Sequence, residues 1–159
     1  IRAVADSNRS SEIALYTGND DHIILDLAQS FEFDGNELRI AGGLLGHWAF
    51  GTKRAVEQHR ALRAELAETK TLSATWLKTA AEVTDMNAAV FDAANEFRGC
   101  IPGINEVLRR QGLLSRRQCI DPAEDLSPGQ EEEIDRVMKA YPHLTDDIYI
   151  RENLDRWLR

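Results

Sequence analysis

The sequence predicts an α/β fold that is mostly helical. Its 159 residues are 43% hydrophobic and 29% charged, which is typical of a folded globular chain. Near the start, two short apolar runs alternate with helical patterns, and the order strand, helix, strand, helix is that of a parallel sheet. Only helical patterns follow in the second half of the chain.

The first strand is expected at Glu12–Thr17, a short apolar run that ends at Gly18. A helix should follow, because the next apolar residues recur at helical spacing. A turn signal then stands at Asp34–Asn36. The apolar positions of the expected helix are Ile24, Leu27, Ala28 and Phe31.

The second strand is expected at Leu38–Ala41, before a glycine-rich segment, Gly42–Trp48, and a long helix at Thr52–Glu68. Two parallel strands alone do not make a stable sheet, and their free edges invite association. Residue 1 is Ile rather than Met. We therefore expect the missing strands to lie upstream in a longer protein or to come from another chain.

The rest of the chain carries a series of helical apolar stripes. Ser127 suits the N-cap of a further helix, Pro128 its first turn and Gln130 the capping-box position. A short final helix is expected within Asp146–Arg159. The stripes comprise Leu72, Trp76, Ala80 and Val83, then Met86, Val90, Ala93 and Phe97, and then Ile104, Val107 and Leu108, ended by Gly112.

Charge and composition exclude several classes of function. Nineteen basic residues stand against 27 acidic ones, and the net charge of -8 disfavours a duplex nucleic-acid binder. No apolar run reaches the roughly 18 to 20 residues that span a bilayer. The two cysteines, Cys100 and Cys119, are far apart and form no disulfide or zinc pattern, so a cytoplasmic protein is expected.

Four segments in order resemble the dihydrodipicolinate synthase and N-acetylneuraminate lyase family. Tyr16–Asp21 is similar to the S-G-D-D stretch after the seventh barrel strand, and Arg39–Trp48 stands where the family has its eighth strand. Cys100–Leu114 contains C-I-P-G-I-N and Q-G-L-L, which resemble the family's N-P-I-P-V-K and L-G-L-I. Leu126–Glu131 occupies the place of its closing L-T-x-x-G-R-E helix. The segments at Gly42–Trp48 and Leu72–Arg98 depart from the lysine-pathway enzyme and indicate a divergent branch.

The resemblance implies the C-terminal portion of a (β/α)8 TIM barrel. Residues 1–70 would hold its last two strand–helix units, and residues 71–159 its C-terminal helical extension. Family members are class I aldolases or lyases in which a lysine on the sixth strand forms a Schiff base with pyruvate or another 2-oxo acid. That lysine, and a tyrosine that shuttles protons, would lie upstream of this chain. The helical extension often mediates oligomer contacts, so a homo-oligomer is expected.

Candidate site residues follow the first strand, because TIM-barrel sites lie at the carboxyl ends of strands. Gly18 lets the backbone approach a ligand closely, and Asn19 lies beside it. The resemblance implies that Asp20 or Asp21 accepts hydrogen bonds from substrate hydroxyls. Alternatively, one of these aspartates caps the next helix. A metal site made with His22 is disfavoured, since adjacent residues rarely converge on one ion.

A second group of candidates follows the second strand. Gly42 and Gly43, with Gly46 close by, indicate either close approach of the backbone to substrate or positive φ angles. His47 is the candidate catalytic acid or base, or it binds a substrate carboxylate. Its alternative role is to satisfy a backbone carbonyl while Trp48 packs beneath the loop. The segment is not GxGxxG, so a dinucleotide site is not expected. No cofactor and no metal are predicted.

The enzyme hypothesis requires two partners, a 2-oxo acid substrate and the N-terminal half of the same barrel. The chain's own lysines lie in polar helical contexts, where no apolar pocket makes an amine nucleophilic. They are Lys53, Lys70, Lys78 and Lys139. Two alternatives stay open: a non-catalytic helical binding or assembly module derived from such a barrel, and a split enzyme whose other half is a separate polypeptide.

Overall fold

The computed structural model describes residues 1–158 and has the predicted α/β composition, with far more helix than strand. The strands are β1 (Leu15–Thr17), β2 (Ser30–Phe33) and β3 (Asn36–Gly43). Three turns of 3-10 helix lie at Gly46–Ala49, Ala93–Asn95 and Pro142–Leu144. The α-helices are α1 (Arg2–Asp6), α2 (Ile23–Ala28), α3 (Thr52–Thr69), α4 (Thr75–Val90), α5 (Cys100–Arg110), α6 (Gln130–Ala140) and α7 (Asp147–Trp157).

The sheet has the order β1-β3-β2, in which β1 runs parallel to β3 and β2 runs antiparallel to it. The prediction that Phe31 belongs to the first helix is wrong, because α2 ends at Ala28 and Phe31 pairs with Leu38 across the hairpin. The predicted turn explains this arrangement. Asp34 and Gly35 both have positive φ angles, as a tight β-hairpin turn with right-handed twist requires.

Helix α4 lies at the centre of the molecule and packs against both α2 and α6. Met86 and Val90, predicted to begin a separate helical stripe, belong to this same helix. The helix stops there because Asp92 adopts a left-handed conformation, and Ala93 falls in a 3-10 turn beyond it. One apolar core joins residues on both sides of residue 70.

Helix α6 begins at Gln130 with Gly129 as its N-cap, so the prediction of Ser127 as the N-cap and Pro128 as the first turn is wrong, although one hydrogen bond of the predicted capping box forms. Gln130 Oε1 accepts a hydrogen bond from the backbone N–H of Ser127 at 3.0 Å, as a capping box requires. The Ser127 hydroxyl instead donates to Asp92 at 2.6 Å. Gln130 also donates to the carbonyls of Val90 and Gly99, so its buried side chain joins the ends of α4, α5 and α6.

The parallel pair β1–β3 is packed on one face only. Successive side chains of a strand point to opposite faces, and Thr17 points toward α2, where its hydroxyl donates to Asp26. Tyr16 points to the other face and is 65% exposed. Within the described residues, β2 pairs only with Asn36–Arg39, so the outer edge of β1 and one edge of residues 40–43 have no strand partner.

Candidate functional site

The carboxyl ends of β1 and β3 meet at one edge of the sheet. The backbone N–H of Leu44 donates to the carbonyl of Thr17 at 3.0 Å. Gly43 permits this contact, because a Cβ at that position would lie 2.9 Å from the same carbonyl oxygen. The segments that follow the two strands, which hold most of the predicted site residues, are therefore neighbours in space.

A polar cluster lies just beyond β1, centred on the buried carboxylate of Asp26. Its Oδ2 accepts hydrogen bonds from the Thr17 hydroxyl at 2.8 Å and from the Asn19 amide at 3.2 Å. Its Oδ1 lies 3.1 Å from Nδ1 of His22, whose side chain is 53% exposed. Gln29 Nε2 also lies 3.5 Å from Oδ1, and the carboxylate holds the imidazole at the sheet edge.

Asp20 and Asp21 are held by α4 rather than by the helix that follows them. Neither carboxylate caps α2, which has no side-chain cap. Asp20 Oδ1 instead accepts a hydrogen bond from the amide of Asn87 at 3.2 Å. The hydroxyl of Thr84 donates to the Asp21 carbonyl oxygen. The aspartate segment is thus fixed from outside while the Asp21 side chain remains exposed.

His47 lies in the interior of the molecule, with 1% of its surface exposed. Its backbone N–H donates to Oδ1 of Asn87 at 3.1 Å, and its ring lies near the rings of Trp48 and Phe50. Burial lowers its pKa from 6.5 to about 3, so the imidazole is neutral at pH 7. A proton acceptor placed there has no direct path to solvent.

A groove of about 500 Å³ runs beside β3 on the exposed side of the sheet, between Gly42–Leu45 and α3. Tyr16 borders it, and its hydroxyl donates to the Gly43 carbonyl at 2.9 Å. Gly42 also lies on this wall, where an added Cβ would come within 3.2 Å of the Tyr16 ring. The groove is mostly apolar, with His59 and Arg60 at its α3 side.

All four lysines are exposed, as their sequence context predicts. Lys53 pairs with Glu57, and Lys78 lies 3.6 Å from Glu82. Lys70 is the C-cap residue that follows α3, and Lys139 lies in the last turn of α6. None of these amines is desolvated, which a Schiff-base lysine requires.

Within residues 1–158, no group of three or more His, Cys, Asp or Glu side chains is arranged to hold a metal ion. No helix in the same range combines the length and the apolar character needed to cross a bilayer. In comparisons with known proteins, no family model, curated protein or solved structure matches the chain.

Sequence reasoning missed the residues that organise this site. Asp26 was not singled out, although it stands four residues after His22 and so faces it across one helical turn. Asn87 was also missed. The sequence signal for Asn87 is that a polar residue stands within the apolar stripe that contains Met86 and Val90. The buried amide of Asn87 joins Asp20 to the backbone of His47.

Proposed function

We propose that this chain is the C-terminal part of a class I, Schiff-base aldolase or lyase similar to dihydrodipicolinate synthase. The enzyme acts on pyruvate or a related 2-oxo acid, and its reactive lysine belongs to the upstream half of the same TIM barrel. In this proposal residues 1–70 are the last two strand–helix units, and residues 71–159 are the helical extension. We expect a cytoplasmic homo-oligomer, since both cysteines are free thiols and the extension offers a contact surface.

The arrangement of β1, α2 and β3 supports a barrel. The two strands are parallel neighbours, as successive strands of a TIM barrel are. Their carboxyl ends bring the segment Gly18–Asp21 beside Gly43, at the edge where TIM-barrel enzymes bind substrate. This is where the motif similar to S-G-D-D should lie.

The observation that carries the proposal is the uncovered face of the parallel strand pair. Parallel sheets occur almost only with both faces covered, and in a closed barrel the inner face is filled by side chains of the other strands. Here Tyr16 is 65% exposed on that face, and Leu44, just after β3, is 61% exposed. An upstream half of the barrel supplies both the strands for the free edges and the side chains for this face.

Roles for the site residues follow from their positions. Gly42 and Gly43 keep the strand end free of side chains, so that substrate can approach the backbone. Asp21 offers an exposed carboxylate to substrate hydroxyls, and Asp20 is oriented by the amide of Asn87. Because His47 is buried, its role in this proposal is to position the loop that follows β3. Asn87 holds this loop by accepting a hydrogen bond from the backbone N–H of His47.

One observation favours the second candidate, a non-catalytic helical binding or assembly module. Strand β2 pairs with Asn36–Arg39 and so closes part of the β3 edge from within the chain. The apolar core is likewise shared by α2, α3, α4, α5 and α6. A helical unit of this kind has a core of its own, so its fold does not depend on a catalytic role.

Trapping with borohydride separates the two candidates. The natural polypeptide that contains this chain is incubated with pyruvate and sodium borohydride, and its intact mass is measured. The aldolase proposal predicts a polypeptide about twice as long as this chain, a full barrel of the usual size, that gains the mass of one reduced pyruvate adduct. Lactate, which has no carbonyl group to form a Schiff base, is the negative control. If the mass spectrum after pyruvate treatment is the same as after lactate treatment, with no adduct, the result favours the binding module.

A further inference from the structure

The groove between Gly42–Leu45 and α3 differs in charge from the other clefts of the molecule. Among residues 1–158, no aspartate or glutamate lines it, although acidic residues outnumber basic ones by 27 to 19 in the chain. Each of four other clefts in the described part of the chain contains at least one carboxylate. The groove is therefore an apolar surface that lacks the negative charge found elsewhere on the protein.

Two buried nitrogens in side chains that line the groove have no hydrogen-bond partner within the described residues. They are Nε1 of Trp48 and Nε2 of His59. Native proteins rarely leave buried polar atoms unpaired, so two of them at one groove indicate a polar group supplied by a ligand. The indole N–H can only donate, and that group must therefore be a hydrogen-bond acceptor.

Arg60 adds a positive charge on the α3 side of the groove. It lines the groove next to His59, the preceding residue of the helix. Lys53 and Arg54, earlier on the same helix, both pair with Glu57. Arg60 is exposed and forms no ion pair with any residue that the structure describes. Its guanidinium is thus free to bind an anion.

We propose that this groove binds a small amphipathic anion, a single carboxylate joined to an aliphatic body. The inference uses only residues of the groove and does not rest on the aldolase function. Arg60 binds the carboxylate, and the ring nitrogens of Trp48 and His59 are hydrogen-bonding groups for its oxygens. The aliphatic body contacts the apolar lining, which comprises Leu27, Leu44, Leu45, Ala55 and Val56.

Charge and size define this ligand class. A phosphate monoester carries a charge of about -1.5 to -2 at neutral pH, more than one arginine neutralises, whereas a carboxylate matches it. The volume of about 500 Å³ is that of a small-molecule pocket. A three-carbon acid such as pyruvate would leave most of the apolar lining uncovered. A longer aliphatic chain covers it.

Isothermal titration calorimetry of the natural polypeptide that contains this chain tests the proposal. The probes are decanoate, below its micelle concentration, the neutral 1-decanol of equal length, and the short acid butyrate. We expect one decanoate to bind per polypeptide. It should bind about tenfold more tightly than 1-decanol, because of the charged hydrogen bonds, and at least about a hundredfold more tightly than butyrate, because of the buried methylene groups.

Two variants with matched controls locate the site. Arg60→Gln should weaken decanoate binding about tenfold and leave 1-decanol binding unchanged, while Arg156→Gln, exposed on α7, should match the wild type. Val56→Glu places a negative charge in the groove at a residue that is 42% exposed, so it should fold and bind decanoate at least about tenfold more weakly. Leu77→Glu, on the exposed side of α4, is its control.

Three results would overturn the proposal. The first is the absence of saturable decanoate binding, which would also follow if an upstream segment fills the groove. The second is equal affinity for decanoate and 1-decanol. The third is wild-type decanoate affinity in Arg60→Gln.

A second measurement uses the wild-type protein and so does not depend on a variant that folds. The indole N–H signal of Trp48, identified by its loss in Trp48→Phe, is followed by NMR as decanoate is added. It should move to saturation as the N–H gains an acceptor. Trp76, whose Nε1–H already donates to Glu65 at 2.8 Å, is the internal reference and should not move. A stationary Trp48 signal at saturating decanoate would contradict the placement of the anion in this groove.

Discussion

The buried carboxylate of Glu106 on α5 provides the most quantitative prediction. Its side chain is fully buried, and Arg109 donates two hydrogen bonds to it, at 2.9 and 2.7 Å. Arg110 donates a third at 2.7 Å and also contacts Asp135 on α6. The carboxylate thus joins the end of α5 to the neighbouring helix. We predict that Glu106→Gln, which keeps the shape but removes the charge, destabilises the protein.

The magnitude follows from the pKa of this group. Hydrogen bonds from Arg109 lead the effects that lower the pKa of Glu106 to about 2, from 4.5 for a free glutamate, against the opposing effect of burial. That difference corresponds to about 3 kcal/mol of folding free energy. Both guanidinium groups reach solvent, and the resulting screening reduces the expected loss to about 2 kcal/mol. For a domain of this size the melting temperature should fall by about 4 to 8 °C.

The destabilisation caused by Glu106→Gln should depend on pH. A carboxylate whose pKa is lowered by folding contributes its full stability above 4.5, and this is lost as the pH falls toward 2. Urea unfolding at several pH values should therefore show a difference between wild type and Glu106→Gln that is largest at pH 7 and shrinks in acid. Glu12→Gln, at an exposed surface pair, is the matched control and should change stability by less than about 0.5 kcal/mol. A Glu106→Gln protein as stable as the control, or a difference that does not depend on pH, would refute the reasoning.

Three further predictions concern residues around the site. As the pH falls from 6.5 toward 3, the wild type should lose stability, because His47 binds a proton in the unfolded chain but not when it is buried in the folded protein. The variant His47→Leu should lose less stability over the same pH range. An equal pH dependence of urea unfolding in the two proteins would contradict this. Gly46→Ala should cost about 1 to 3 kcal/mol in urea unfolding, since its Cβ would lie 2.0 Å from the Phe91 ring, and Phe91→Leu in the same chain should restore part of that loss. Asp146→Ala should cost about 1 to 2 kcal/mol, because this buried carboxylate accepts hydrogen bonds from two backbone N–H groups in the first turn of α3. The loss is measured by thermal unfolding, with Asp155→Ala, at an exposed position on α7, as the control. Equal melting temperatures for Asp146→Ala and Asp155→Ala would contradict the capping role.

Local sequence patterns predicted most elements of the fold. The apolar spacing located α3 at Thr52–Glu68, one residue short of its observed end at Thr69. The glycine at position 112 marked the end of α5, where it adopts a positive φ angle. These elements are predictable because propensity, periodicity and end signals all agree within a few residues of each other.

Elements that depend on distant contacts were predicted less well. Phe31 fits the helical spacing of α2, but pairing with Leu38 places it in a hairpin. The apolar run through Met86 and Val90 does not reveal that Asp92 ends the helix, since the carboxylate is held by Ser127, 35 residues away. Tertiary hydrogen bonds of this kind override local preference.

The same distinction applies to the candidate site. The sequence located the two strand ends, Gly18–Asp21 and Gly42–Gly43, and the structure places them side by side. The burial of His47 could not be read from a glycine-rich segment, because α4 covers it and supplies Asn87 from 40 residues away. The anchoring of His22 by Asp26 was readable from their spacing of four residues.

The central claim, that this chain completes a Schiff-base aldolase whose lysine lies elsewhere, is tested most directly by mapping the trapped adduct. The natural polypeptide is treated with pyruvate and borohydride, digested with protease and analysed by tandem mass spectrometry. We predict one reduced adduct on a lysine upstream of this chain, with Lys53, Lys70, Lys78 and Lys139 unmodified. An adduct on any of these four lysines, or no adduct at all, would contradict the account.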